Sequence, residues 1–135
     1  MRVMIDTNIL ISAILGSKTP FQAYCKAVSY PNCGIVCTQN IDELRRVFNR
    51  KFPEKISAME RFLAVALYGI EIVPIPDESV KEERRIRDTK DRPILRAAAA
   101  ANVDIILTGD KDFLESGIKQ PKIMTAAEFT AKEAL

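Results

Sequence analysis

Across its 135 residues the chain contains neither histidine nor tryptophan. The missing imidazole removes Ser-His-Asp and Cys-His catalysis and every histidine-ligated metal site at once. Cysteine is scarce as well: Cys25, Cys33 and Cys37 form an odd set without paired spacing, which suits neither a disulfide framework nor a zinc knuckle. All three read as small buried hydrophobes. No apolar run approaches the ~20 residues that cross a bilayer, and Met1-Arg2 leads into a strand with an acid in it rather than a signal peptide, so a cytoplasmic protein without a membrane partner is expected. Neither sign of charge is in surplus: a net +2 permits nucleic-acid binding without announcing it. What remains for chemistry is carboxylates, hydroxyls and lysines.

The apolar pattern supplies a scaffold. Val3 to Ile5 is a short run without polar alternation, the mark of a strand covered on both faces in a parallel sheet, and Asp6 ends it. Thr7 and Asn8 then offer caps to a helix from Ile9 to Leu15 that stops at Gly16. Pro20 starts a second helix, with Phe21, Tyr24 and Val28 as its buried face. Gly34 to Cys37 is a second strand, with Thr38 capping a helix from Gln39 to about Arg50. The amphipathic stretch Ile56 to Tyr68 leads to a third strand within Ile70 to Ile75, closed by Pro74 and Pro76. Val80 to Arg92 is charged and reads as a short exposed helix and a loop; Pro93 opens a thin alanine-rich helix over Ile94 to Val103. Asp104 to Thr108 and Lys122 to Thr125 are the last strands, and helices follow at Asp110 to Leu114 and Ala126 to Leu135. Five strands alternating with helices, with no linker or repeat, predict one three-layer α/β/α domain spanning 1–135 around a five-stranded parallel sheet.

In such a topology, strand ends and the helices after them converge at one edge of the sheet. Asp6 and Asp110 end strands one and four, Glu43 lies in the first turns of the helix after strand two, and Asp91 precedes the alanine-rich helix. Asp112 reaches the same crevice or caps its own short helix, and Asp88 is a fifth contributor or a loop residue. Each acid alone is equally consistent with a helix cap or a turn. Their convergence is not, because ionised carboxylates do not gather uncompensated. Oxygen donors without imidazole or thiolate select Mg²⁺ or Mn²⁺, ions suited to hydrolysing phosphodiesters. Thr7, Asn8 and Thr108 are expected at the rim, orienting the carboxylates or the substrate.

These same residues carry a resemblance. Val-Met-Ile-Asp6-Thr7-Asn8-Ile-Leu-Ile-Ser, Ile41-Asp42-Glu43-Leu44-Arg45-Arg46-Val47, Lys90-Asp91-Arg92-Pro93-Ile94-Leu95 and Thr108-Gly109-Asp110-Lys111-Asp112-Phe113-Leu114 are similar to the four signatures of the PIN-domain ribonuclease family. The likeness covers nearly the whole chain, and its length and pattern look like the stand-alone, VapC-like toxin component of toxin-antitoxin pairs. It implies strand order 3-2-1-4-5, with Asp6, Glu43, Asp91 and Asp110 as metal-binding and catalytic acids and Asp112 as an additional ligand. It also implies a Mg²⁺- or Mn²⁺-dependent cut of RNA, a homodimer, and a cognate antitoxin that inserts a peptide into or beside the groove. Two alternatives stand beside it: a silent RNA- or protein-binding module, and a nuclease acting on DNA. Two basic clusters, Arg45, Arg46, Arg50 and Lys51 on one side and Arg84, Arg85, Arg87, Lys90 and Arg92 on the other, read as solvated faces or as two banks of a groove. The terminal helix and the first two helices cover the sheet or dock a partner.

Overall fold

The computed structural model describes residues 1–132. Five parallel strands, β1 (Arg2–Ile5), β2 (Cys33–Cys37), β3 (Ile70–Val73), β4 (Ile105–Leu107) and β5 (Lys122–Met124), lie in the order β3-β2-β1-β4-β5. This is the order the resemblance implied. The central strand β1 is matched on both sides, Val3 with Gly34 and with Ile105. Because successive side chains leave a strand on opposite faces, β1 feeds two cores. Val3 and Ile5 pack under α1 (Thr7–Ile14), α2 (Lys18–Val28), α3 (Thr38–Lys51), α4 (Ile56–Ala66) and α7 (Ala126–Ala131). Met4 packs on the other face with α5 (Arg92–Ala100) and α6 (Lys111–Leu114). Ala97 and Ala98 are fully buried, so the alanine run does let α5 lie close to the sheet.

Several expectations change. On α2 the buried face is Ala23 and Ala27, while Phe21 is 47% exposed. Close approach accompanies this: a Cβ on Gly34 would come within 2.8 Å of Val28 Cγ1 and 3.6 Å of Ala27 O, so β2 keeps a glycine where α2 crosses it. The first three helices start one or two residues earlier than expected, at Thr7, Lys18 and Thr38. Asp6, not Thr7 or Asn8, is the α1 cap, its carboxylate accepting from Thr7 N, and Cys37 rather than Thr38 precedes α3. The charged stretch is the short, mostly exposed helix and loop expected, but Lys81–Arg85 is a 3₁₀ turn whose Glu83 is buried against Arg96 at 2.9 Å, and Ile86 beside it is fully buried. The Arg92 guanidinium also donates to Ile86 O, so α5 grips this segment twice. Of the cysteines only Cys37 is buried; Cys25 and Cys33 are half-buried, and all three are free. The terminal helix ends at Ala131, and its expected continuation over 133–135 lies outside the described residues. Among those described, no helix is long and apolar enough to cross a membrane. At the amino edge of the sheet Met1, Asp104, Lys122 and Lys132 border one small cleft.

Candidate active site

Parallel strands all aim their carboxyl ends at one edge, and β1 and β4 are neighbours, so Asp6 and the Thr108-Gly109-Asp110 turn arrive side by side. Asp6 is only 8% exposed. Its two oxygens are matched: Thr7 N donates to Oδ1 at 2.8 Å, and Thr108 Oγ1 donates to Oδ2 at 2.7 Å. Thr108 Oγ1 in turn accepts from Asp110 N at 3.0 Å, and Asp110 caps α6 by accepting from Asp112 N at 2.9 Å. One hydroxyl therefore fixes two acids. Burial still pushes the Asp6 carboxyl up to about 6 against these bonds, and the negative charges of Glu43 and Asp110 add to the rise.

The opposite bank comes from α3 and from the loop entering α5. Asp91 stands at the α5 cap position but makes no capping bond. Its carboxyl lies against that of Asp110, and burial, then Asp110, Asp6 and Asp88, push it up to about 8. Asp91 Oδ2 is buried without a hydrogen-bond partner. Asp88, Asp91 and Asp112 each place a carboxylate oxygen within 4.8 Å of the others. Glu43 and Asp91 line a shared cavity of about 660 Å³. Asp91 thus meets Asp110, and Asp6 and Glu43 lie near enough to add their charge. Among the described residues, however, the acids whose oxygens all come within 4.8 Å of one another are Asp88, Asp91 and Asp112, so Asp112 joins through Asp91 and Asp6, Glu43 and Asp110 stand outside that group.

The hydroxyls are less exposed than the sequence suggested. Thr7 and Thr108 are buried beneath the carboxylates and orient them; only Asn8 is exposed, accepting from Gly109 N at 3.4 Å. One participant was left open by the sequence and another escaped it. Asp88, a fifth contributor or a loop residue from sequence, is both: it accepts from Lys90 N and belongs to the group of three acids within 4.8 Å of one another. Asn40 was not singled out at all. It is fully buried, accepts from Cys37 N at 3.1 Å, and donates to Thr7 Oγ1 at 3.0 Å. It therefore ties the start of α3, which carries Glu43, to the start of α1, which Asp6 caps.

The donor set and the orphaned oxygen suit a hard divalent cation: every candidate ligand is a carboxylate, and Asp91 Oδ2 is buried among other carboxylates with no N–H or O–H donor among the described residues. A family model described as a PIN domain matches residues 2–112. The chain belongs to the PIN-domain family. PIN domains are nucleases, and the acids described above fall in or at the end of the matched span. No curated protein sequence matches this PIN-domain chain. Solved structures do. Rickettsia felis VapBC2, crystallised with a promoter DNA fragment, is 19% identical with TM-score 0.68 over 93% of this chain and 98% of that one. A toxin-antitoxin complex from Klebsiella pneumoniae is 23% identical with TM-score 0.66 over 92% and 97%. Mycobacterium tuberculosis VapC20, a toxin that cleaves the sarcin-ricin loop, is 14% identical with TM-score 0.60 over 86% and 95%. At these identities the likeness establishes a shared fold.

Proposed function

We propose that this PIN-domain protein is a Mg²⁺- or Mn²⁺-dependent endoribonuclease and the toxin of a cytoplasmic toxin-antitoxin pair. The observation that carries the reading is the unmatched Asp91 Oδ2 among converging carboxylates, a charge arrangement that a cation completes. Asp6, Asp91 and Asp110 would hold the ion, with Glu43 and Asp112 as further ligands and Asp88 beside them. A divalent cation bound there supplies Lewis-acid activation of a water and of a phosphodiester oxygen. The chain's own residues do the positioning. Thr108 and Thr7 hold Asp6 in one rotamer, Asn40 fixes the approach of α3, and Glu43 at the cavity wall is placed to take the proton of an attacking water. Because Asp91 is pushed up to about 8, this carboxyl holds a proton near neutrality, and binding of a cation there would have to release it.

The toxin assignment is supported by the solved relatives, two of which are toxin-antitoxin complexes and one a toxin that cleaves the sarcin-ricin loop. An antitoxin and a second copy of the chain are the partners this reading expects. The test is cleavage of single-stranded RNA and of a matched DNA oligomer in Mg²⁺ or Mn²⁺, before and after chelation, alongside calorimetric titration of the ion. Chelation should abolish RNA cleavage and re-addition restore it. RNA cleavage that survives excess chelator, or absence of any divalent-ion binding, overturns the reading; preference for the DNA oligomer would reassign the substrate.

A further inference from the structure

We infer that Arg46, Arg50 and Lys90 form a phosphate-binding wall that leads single-stranded RNA backbone along α3 to the carboxylates. This rests on the nuclease reading and names the residues that hold the substrate there. The basic residues of the two sequence clusters are not equivalent once their partners are known. Arg45 is turned to Glu60 at 3.2 Å, and Arg87 is held by Asp112 at 3.0 Å and by Glu115 at 3.4 Å. Arg92 is spent on Ile86 O. Arg46, Arg50 and Lys90 have no ion-pair partner among the described residues. These three also line the cavity that Glu43 and Asp91 border.

Their placement is directional. Glu43, Arg46 and Arg50 follow one another at helical spacing on a single face of α3, so the stripe runs from a carboxylate at the catalytic end to a cation about 10 Å further along the axis. Lys90 faces them from the loop before α5, and Gln39 spans the two banks by donating to Lys90 O at 3.0 Å. Charge explains the need. Glu43, Asp88 and Asp91 give the cavity three carboxylates, which repel the phosphates flanking a scissile bond; three guanidinium and ammonium groups offset them. A cleft of about 660 Å³ is of small-ligand size, which suits roughly one or two nucleotides of an unpaired strand and not a duplex.

The experiment measures anisotropy of a labelled single-stranded RNA oligomer in chelator across a salt series, then steady-state cleavage in Mn²⁺. Arg46→Ala/Arg50→Ala should flatten the dependence of log affinity on log salt by about 1.4 and weaken binding roughly tenfold near physiological salt. Its KM should rise with kcat changed much less, and Arg46→Lys/Arg50→Lys should restore binding. Arg45→Ala/Lys122→Ala removes the same charge outside the cavity and should do neither. Equal behaviour of the two alanine pairs, or absence of RNA binding by the unmodified protein, overturns the wall. Binding that flattens as expected without cleavage in any divalent ion leaves the wall standing and removes the nuclease reading instead.

Discussion

The two halves of the candidate site are built differently. At the strand ends, Asp6, Thr108 and Asp110 form a closed network in which every bond is between 2.7 and 3.0 Å and both Asp6 oxygens are matched. On the loop side, Asp91 has a buried oxygen with no partner, and Asp88 and Asp112 crowd it. Local chemistry completes the first half; the second is left with crowded carboxylates that a cation would offset. The difference teaches where preorganisation resides in this fold: the rigid sheet fixes one set of acids, and a loop pinned by Glu83–Arg96 brings the other.

The largest expected effect tests whether both halves serve one ion. Asp6→Asn and Asp91→Asn should each lower RNA cleavage by at least ~10²-fold. Their stabilities should diverge: in chelator above pH 8, where Asp91 is ionised, Asp91→Asn should melt higher than the unmodified protein, because it removes a charge facing three others, whereas Asp6→Asn should gain less, because it gives up the Thr108 bond. Equal melting temperatures would erase the distinction between the halves.

Acidity sharpens it further. The Asp6 carboxyl lies near 6 in the folded chain against its ordinary 3.8, so the folded state holds this proton more tightly than the unfolded one. Stability in chelator is therefore greatest below about pH 4 with respect to this group and is lost as pH rises through 6, by about 3 kcal/mol. Asp91 carries the decline on toward pH 8. Saturating Mn²⁺ should flatten or reverse it, and urea unfolding at pH 5, 6, 7 and 8 with and without the ion reads both slopes.

Smaller effects locate the hinge between the halves. Asn40→Ala would leave Cys37 N without its side-chain acceptor and Thr7 Oγ1 without its donor, costing about 1–3 kcal/mol in denaturant unfolding. Through the displaced α3 it should also cost roughly 10–100-fold in ion affinity or activity. A stability loss with unchanged ion affinity would make Asn40 structural only. The least effect is expected from Arg87→Gln. That exposed pair contributes under about 1 kcal/mol to stability, but freeing Asp112 should tighten ion binding a few-fold in the same titration.

Much of this was legible in sequence because it followed from position along elements. Asp6 follows a strand end, Asp110 caps the helix after β4, Glu43 is an early helical residue and Asp91 precedes a proline-led helix, so an α/β pattern alone sends them to one edge. The order in which strands neighbour one another is not encoded in periodicity, and only the family resemblance supplied it. What escaped was pairwise. Asn40 acts through Thr7, 33 residues away, and Glu83 through Arg96, 13 away; a buried asparagine or glutamate reads in sequence like a solvated one until its partner is in place. Phe21 misled for the converse reason: it is apolar at the right spacing, yet the buried face of α2 is alanine.

The small cleft shared by Met1 and Lys132 has a practical outcome. Both ends of the described chain leave from the amino edge of the sheet, whereas Asp6 and Asp110 open from the other. An affinity handle or a tether to a bead at Met1 would therefore present the acidic mouth outward, so that long RNAs and bulky partners reach it on an immobilised molecule as freely as in solution.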